Sequence, residues 1–187
     1  PISAEVQAQL EPFNRAVGQA PNIWYVLLLL ALLPAVCEEL AFRGFILSGF
    51  RRLGHKWAAI IMSSIFFGVA HPILQQSLVM CVIGIGIAYV AVQTRSLLPG
   101  ILFHVVHNSL VIFDGTVTGG MLDKYHFLAR LYSGAGDEYF FDTPIVVAGA
   151  VLTVAVLLWF RRLPYQPTAE EQLQQALDHQ SAHATTR

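Results

Sequence analysis

Pro34-Ala35-Val36-Cys37-Glu38-Glu39-Leu40-Ala41-Phe42-Arg43-Gly44 sets two acids and a base inside an apolar run that extends from Ile23 to about Leu47. About 20 mostly apolar residues in a helix cross the hydrocarbon core of a bilayer, so the run reads as a membrane span. Its three charges then need an explanation. Each ionised side chain at mid-membrane costs about 2.5–3.5 kcal/mol even on a lenient insertion scale, so three approach roughly 8–10 kcal/mol. A Leu, Ile, Val or Phe returns only about 0.3–0.6 kcal/mol. Intramembrane ionisable groups are therefore functional candidates by default.

The rest of the chain supports a membrane fold. Its 187 residues are 55% apolar and only 12% charged, with a mean hydropathy of +0.57. An average soluble domain carries about 25% charge, so disorder is ruled out and the composition argues against an ordinary soluble enzyme. Four further apolar runs follow: Trp57 to about Leu74, Ser77 to Gln93, Leu97 to Phe113 and Pro144 to Phe160. The expected fold is all-α, a multi-pass transmembrane helical bundle of about five spans. A net charge of −1 argues against a nucleic-acid partner. Cys37 and Cys81 lie in apolar runs and do not suggest a disulfide framework.

Lys and Arg set the orientation. Arg51, Arg52 and Lys56 follow the first span, Arg95 the third, and Arg161 and Arg162 the fifth. Alternating spans put all of these on one side, which is then cytoplasmic, with the N-terminus outside. Because the chain lacks an initiator Met and a signal peptide, an external N-terminus points to a longer parent with at least one earlier span, or to processing. The opposite loop, Asp114 to Thr143, is acidic and rich in aromatics: Tyr125, Phe127, Tyr132, Tyr139, Phe140 and Phe141. These read as interfacial anchors rather than as a lid. In the polar tail, Thr168 and Glu171 have capping-box spacing, and His179 and His183 lack a third metal ligand.

Helical spacing divides the polar residues. Glu39 and Arg43 are i and i+4 in the favoured order and can neutralise each other, which leaves Glu38 for another task. The second span ends Phe67-Gly68-Val69-Ala70-His71-Pro72, where Gly68 and Ala70 permit close helix approach. The fourth carries His104, His107 and Asn108, with His104 and Asn108 on one face. Unmet polar groups in lipid cost several kcal/mol each, so these three spans have reason to converge. A Glu and a His holding a water make a general base, and a His with an Asn can donate to an oxyanion. Ser63, Ser64 and Ser109 have no nucleophile setting, so the chemistry suggested is hydrolysis by water without a covalent intermediate.

Glu38-Glu39-x-x-x-Arg43, Phe67-x-x-x-His71 and His104-x-x-x-Asn108, in that order on apolar helices, resemble the three motifs of the CPBP family of intramembrane proteases. That family includes the type II CAAX prenyl endopeptidases and the bacterial Abi proteins. The resemblance covers about Pro21 to Phe113 and implies a helical membrane hydrolase with a polar, water-filled catalytic cavity. It implies that Glu38 and His71 activate water and that His104 and Asn108 form the oxyanion site. Glu39, Arg43, Phe67 and His107 then support them. Some members are labelled metalloproteases, which would make Glu38, His71 and His104 zinc ligands with one open position. No H-E-x-x-H pair is present, and metal-free activation is the preferred reading. Segments 1–20, 21–162 and 163–187 are then a juxtamembrane stretch, a CPBP-like protease domain and a cytoplasmic tail. The implied partners are a peptide or membrane-protein substrate, the lipid bilayer and a fused transporter-like segment, in a bacterial plasma membrane with the site toward the cytoplasm. Two other readings use the same residues: an ion- or proton-coupled part of a fused transporter, and a non-catalytic binding or immunity module.

Overall fold

A computed structural model describes residues 8, 11–12, 15, 17–135 and 138–185, except the side chains of 135, 138 and 182–185. His183 therefore lies outside the described side chains. Each of the five apolar runs is a helix: α1 (Ile23–Arg51), α2 (Lys56–Val69), α3 (Leu74–Thr94), α4 (Leu98–Asp114) and, after the long loop, what becomes α6. The loop holds a short α5 (Gly119–Lys124) and a hairpin of β1 (Tyr132–Ala135) and β2 (Glu138–Phe141), paired antiparallel with Tyr132 opposite Phe141. The chain ends in α6 (Thr143–Phe160) and α7 (Ala169–Thr185). Helices α1, α3 and α6 are long and apolar enough to cross a membrane. At about 1.5 Å per residue, α2 and α4 rise only about 21 and 25 Å, less than a hydrocarbon core of about 30 Å.

Two departures from the sequence expectation matter for the site. Helix α2 stops at Val69 rather than continuing to Leu74, which puts His71 in a bend ahead of α3. Pro72 accounts for this, since a residue before proline is pushed out of the helical region. Helix α1 is not uniformly wound. Leu27–Leu32 and Leu40–Leu47 are π-helical and flank an α segment, Leu33–Glu39, that ends on the paired glutamates. Wide π turns are rare and concentrate at functional sites.

Helices α2 and α3 pack backbone to backbone through glycine. A Cβ on Gly68 would stand 2.1 Å from Cys81 Sγ and 2.7 Å from the Ser77 carbonyl oxygen. Gly84 faces Ser64 and Phe67 in the same way. Near the 52–55 turn, Leu47, Ala59, Ile60, Ala88, Ala91 and Val92 close a buried core, and Val26, Ala31 and Ile112 close another where α1 meets α4. Helix α6 buries none of its residues, so lipid is the solvent its side chains suit.

The aromatic loop divides its side chains. Phe127 and Phe140 are exposed, but Tyr132 is buried against Phe141 and its phenol is pushed up to about 12 by burial and by nearby Asp114. Tyr132 is thus a packing residue and not the interfacial anchor its composition suggested.

The tail is docked on the bundle. Thr168 Oγ1 accepts from the Glu171 amide, and Glu171 Oε2 accepts from the Thr168 amide, which is the reciprocal capping box. Glu171, though buried, also takes two bonds from Arg51 at 3.2 Å and one from Tyr165. Gln93 donates to the Leu163 carbonyl and Arg95 to Gln166. The three basic clusters expected on one side therefore do share one end of the bundle.

Alanine at Gly68 should cost about 1–3 kcal/mol by overpacking. Alanine at Gly86, which has nothing within 4 Å of the added Cβ, should not. Thermal unfolding of the purified pair in one detergent checks this. The tail dock should depend on pH. Burial pushes the Glu171 carboxyl up, but bonds from Arg51, Tyr165 and Thr168 outweigh it and hold the group below its usual value. A carboxyl more acidic folded than unfolded stabilises fully above its unfolded value of about 4.3, and that stability is lost as pH falls through the folded value. Protection of the α7 amides, taken relative to the intrinsic exchange rate at each pH, should fall on going from pH 7 to pH 3, and Glu171→Gln should show low protection already at pH 7.

Candidate active site

The polar residues of α1 meet those of α2 and α4 around Phe67. Glu39 Oε1 accepts from Arg43 Nη1 at 2.9 Å, and both side chains are buried. Arg43 Nη2 donates to the Gly84 carbonyl of α3 at 3.3 Å, and its guanidinium lies 4.3 Å from the Phe67 ring centroid. The pairing read from the i, i+4 spacing is thus present, and it draws in two more helices. The Phe67 ring also meets Phe42, His71 and His104 edge-on, at centroid distances of 5.2, 5.2 and 5.6 Å.

His104 stands between the two glutamates. Its Nδ1 is 3.3 Å from Glu39 Oε1 and its Nε2 is 3.5 Å from Glu38 Oε2. A carboxylate only accepts, so Nδ1 carries the proton toward Glu39. The Nε2 contact is too long to count as a hydrogen bond, and Glu38 Oε2 has no hydrogen-bond partner. The Glu38 side chain keeps 32% of its surface exposed, while Glu39 keeps none. Two adjacent carboxylates are therefore in different chemical situations. Glu39 is committed through Oε1 to Arg43 and His104, with its own Oε2 buried and unbonded. The unbonded Oε2 of Glu38 instead sits on a side chain that reaches the surface and has no cationic partner within hydrogen-bond distance.

His71 occupies the bend after α2. Its Nδ1 is 3.0 Å from the Phe67 carbonyl oxygen. That oxygen can only accept, so Nδ1 bears the proton and the neutral ring keeps its lone pair on Nε2. His107 stacks on Phe103, one turn earlier, and lies within electrostatic reach of His71 and His104. Asn108 is held apart from this group. Its amide donates to the Ala31 carbonyl at 3.5 Å, on the π-helical stretch of α1 away from the glutamates. Among the described residues no three His, Cys, Asp or Glu side chains are arranged to hold a metal ion. The donor set Glu38, His71 and His104 does not fit zinc in this geometry.

Residues 20–110 match the family model described as type II CAAX prenyl endopeptidase Rce1-like. That segment, just under half of the chain, is similar to the Rce1-like family. The match spans α1 to most of α4 and includes Glu38, Glu39, Arg43, Phe67, His71, His104 and Asn108. Comparison with curated proteins and with solved structures gave no match.

Within the Rce1-like segment, two glycines take part that spacing alone did not single out. Gly84 supplies the carbonyl for Arg43, although the third apolar run has no motif of its own. Gly100 makes room for Glu39, since a Cβ there would lie 2.8 Å from Glu39 Oε2 and 2.9 Å from Ile87 Cγ2. The available signal was Pro99-Gly100 at the start of a helix that could have carried a larger residue. Ser63 and Ser64 both bond back to the Ile60 carbonyl, and Ser109 to that of Val105, as expected of packing serines.

Arg43→Met should destabilise the protein by about 3–5 kcal/mol, because it strands the buried Glu39 charge. The double variant Arg43→Met/Glu39→Gln should recover part of that loss, as a thermal-unfolding double-mutant cycle would read. Gly100→Ala should lower stability by about 1–3 kcal/mol, and the loss should shrink when Glu39 is already Ala, which removes the carboxylate the added Cβ would meet.

Proposed function

We propose that this protein is an intramembrane endopeptidase that hydrolyses peptide bonds with water activated by Glu38 and His71. The observation that carries the reading is the contrast between the glutamates. Glu39 is fully buried and bound through Oε1 to Arg43 and His104, whereas Glu38, one residue away, has a partly exposed side chain whose Oε2 has no hydrogen-bond partner. The similarity of residues 20–110 to a family named for endopeptidases supports it.

In the proposed reaction Glu38 takes a proton from water as the water oxygen bonds to the substrate carbonyl carbon. His71, with its lone pair on Nε2, is the second base, and the proton is then passed to the leaving amine nitrogen. Asn108, drawn in from Ala31 when substrate enters, donates to the oxyanion, and His104 does so when its Nε2 carries a second proton while Nδ1–H stays on Glu39. Glu39 and Arg43 are positioning residues: they fix His104 and the axis of α1. Phe67 sets the spacing of His71 and His104, and His107 lines the same side of α4. Water acts without a metal in this scheme. The five apolar helices all lie in the membrane around a polar cavity, and the shared basic end faces the cytoplasm.

Purified wild type should cleave members of a peptide library. Glu38→Gln and His71→Asn should each lose about 10²–10⁴-fold in kcat, and Asn108→Ala about 10²–10³-fold, with folding retained by circular dichroism. Cleavage should survive chelators. Stoichiometric zinc in the wild type that disappears in His71→Ala would overturn the metal-free scheme. A library left intact by the wild type would overturn the peptidase reading. Reporter fusions in the 52–55 turn should report the cytoplasm.

A further inference from the structure

We propose that the cavity between α1 and the α3–α4 turn is a binding site for a phosphate-class anion, held by Arg43, Arg51 and Arg95 with Ser48 and Ser96. The proposal is independent of the peptidase reading. The cavity has a volume of about 260 Å³, and those three arginines and two serines share its walls with apolar side chains such as Leu47 and Val92.

Three observations point to an anion. Arg43 lines the cavity, is 2% exposed, and carries a buried Nε–H that has no hydrogen-bond partner. Such a group costs free energy until an acceptor reaches it. Second, the charges do not cancel. Arg43 is balanced by Glu39 and Arg51 by Glu171, but the described partner of Arg95 is the neutral Gln166 side-chain oxygen. One positive charge is left over, and the basic end around it carries Arg52, Lys56, Arg161 and Arg162 as well.

Third, Arg95 is in a conformation that disfavours it. It caps α3 at φ 55°, and it is the one non-glycine at positive φ among the described residues. The left-handed cap is ordinarily filled by glycine, because a Cβ there is strained. Strain kept at one position is characteristic of ligand sites. Arginine forks match phosphate oxygens in geometry as well as charge. The cavity lies at the basic end of the bundle, where basic pockets between helices meet lipid headgroups. A free phosphate and an anionic headgroup share this chemistry.

The test is thermal unfolding of the full chain in two arms. In detergent, inorganic phosphate is compared with chloride at equal ionic strength. In bilayer discs, phosphatidylglycerol is compared with phosphatidylcholine. A rise in melting temperature in the phosphate arm identifies a free anion, and a rise with phosphatidylglycerol alone identifies a headgroup. In either case Arg95→Gln should weaken the apparent affinity about tenfold or more, as expected for loss of a charged hydrogen bond. Arg95→Gly provides a second variant. It should melt higher than wild type without ligand, because glycine suits the cap, and still lose the response. No shift in either arm, or a shift that survives in both Arg95 variants, overturns the proposal.

Discussion

The buried pair of Glu39 and Arg43 is the interaction on which the bundle depends. Neither side chain reaches water, so neither charge could be held without the other. The pair is also a junction between helices. Glu39 accepts from His104 on α4, while Arg43 donates to the Gly84 carbonyl on α3 and lies over Phe67 on α2. A single ion pair within one helix thereby fixes three neighbours. Apolar helices in lipid have no hydrophobic drive toward one another, so polar contacts and close packing through small residues must supply the specificity. Here both are present at one level: Gly84 and Gly100 bring backbone against Arg43 and Glu39, and the charges fill the space those glycines leave.

This arrangement also accounts for the separate state of Glu38. On a helix, adjacent residues point about 100° apart, so Arg43 does not bond to Glu38 while it is paired with Glu39. The same geometry that neutralises one carboxylate exposes the other. A core that met every polar group would be more stable and would have nothing left to react with. The unbonded Glu38 oxygen is the kind of local inconsistency that marks functional sites in otherwise consistent folds.

Much of this was legible in the sequence, because charge in an apolar run carries information that charge on a soluble surface does not. The five helices, the Glu39–Arg43 pair, the packing role of Gly68 and the capping box at Thr168 all follow from composition and spacing. What could not be read depends on backbone position. Glu39 needs Gly100 only because α4 crosses α1 at that residue, and periodicity does not give the crossing point. The Gly84 carbonyl is invisible because every residue has one. Tyr132 had the composition of an interfacial anchor but is turned inward by pairing with Phe141 next to Asp114. His71 was expected within a helix, and the constraint imposed by Pro72 moved it into a bend.

The tail and the site are joined through α1. Arg51, held by Glu171, lies eight residues beyond Arg43, a distance of about 12 Å along an α-helix. The stretch between them is partly π-wound, in Leu40–Leu47. A shift of α7 would therefore act first on Arg51, while Arg43 stays anchored to Glu39 and Gly84 and packed on Phe67. Coupling between sites needs an element with two arrangements that both sites bias. The contacts at Arg43 oppose such a second arrangement at the pair itself, whereas the Arg51 end is held only by groups that titrate or exchange with water. Changes in the tail should thus reshape the basic cavity and leave the geometry around Glu38 unchanged. This separates the two ends of α1 into one that can respond and one that must not.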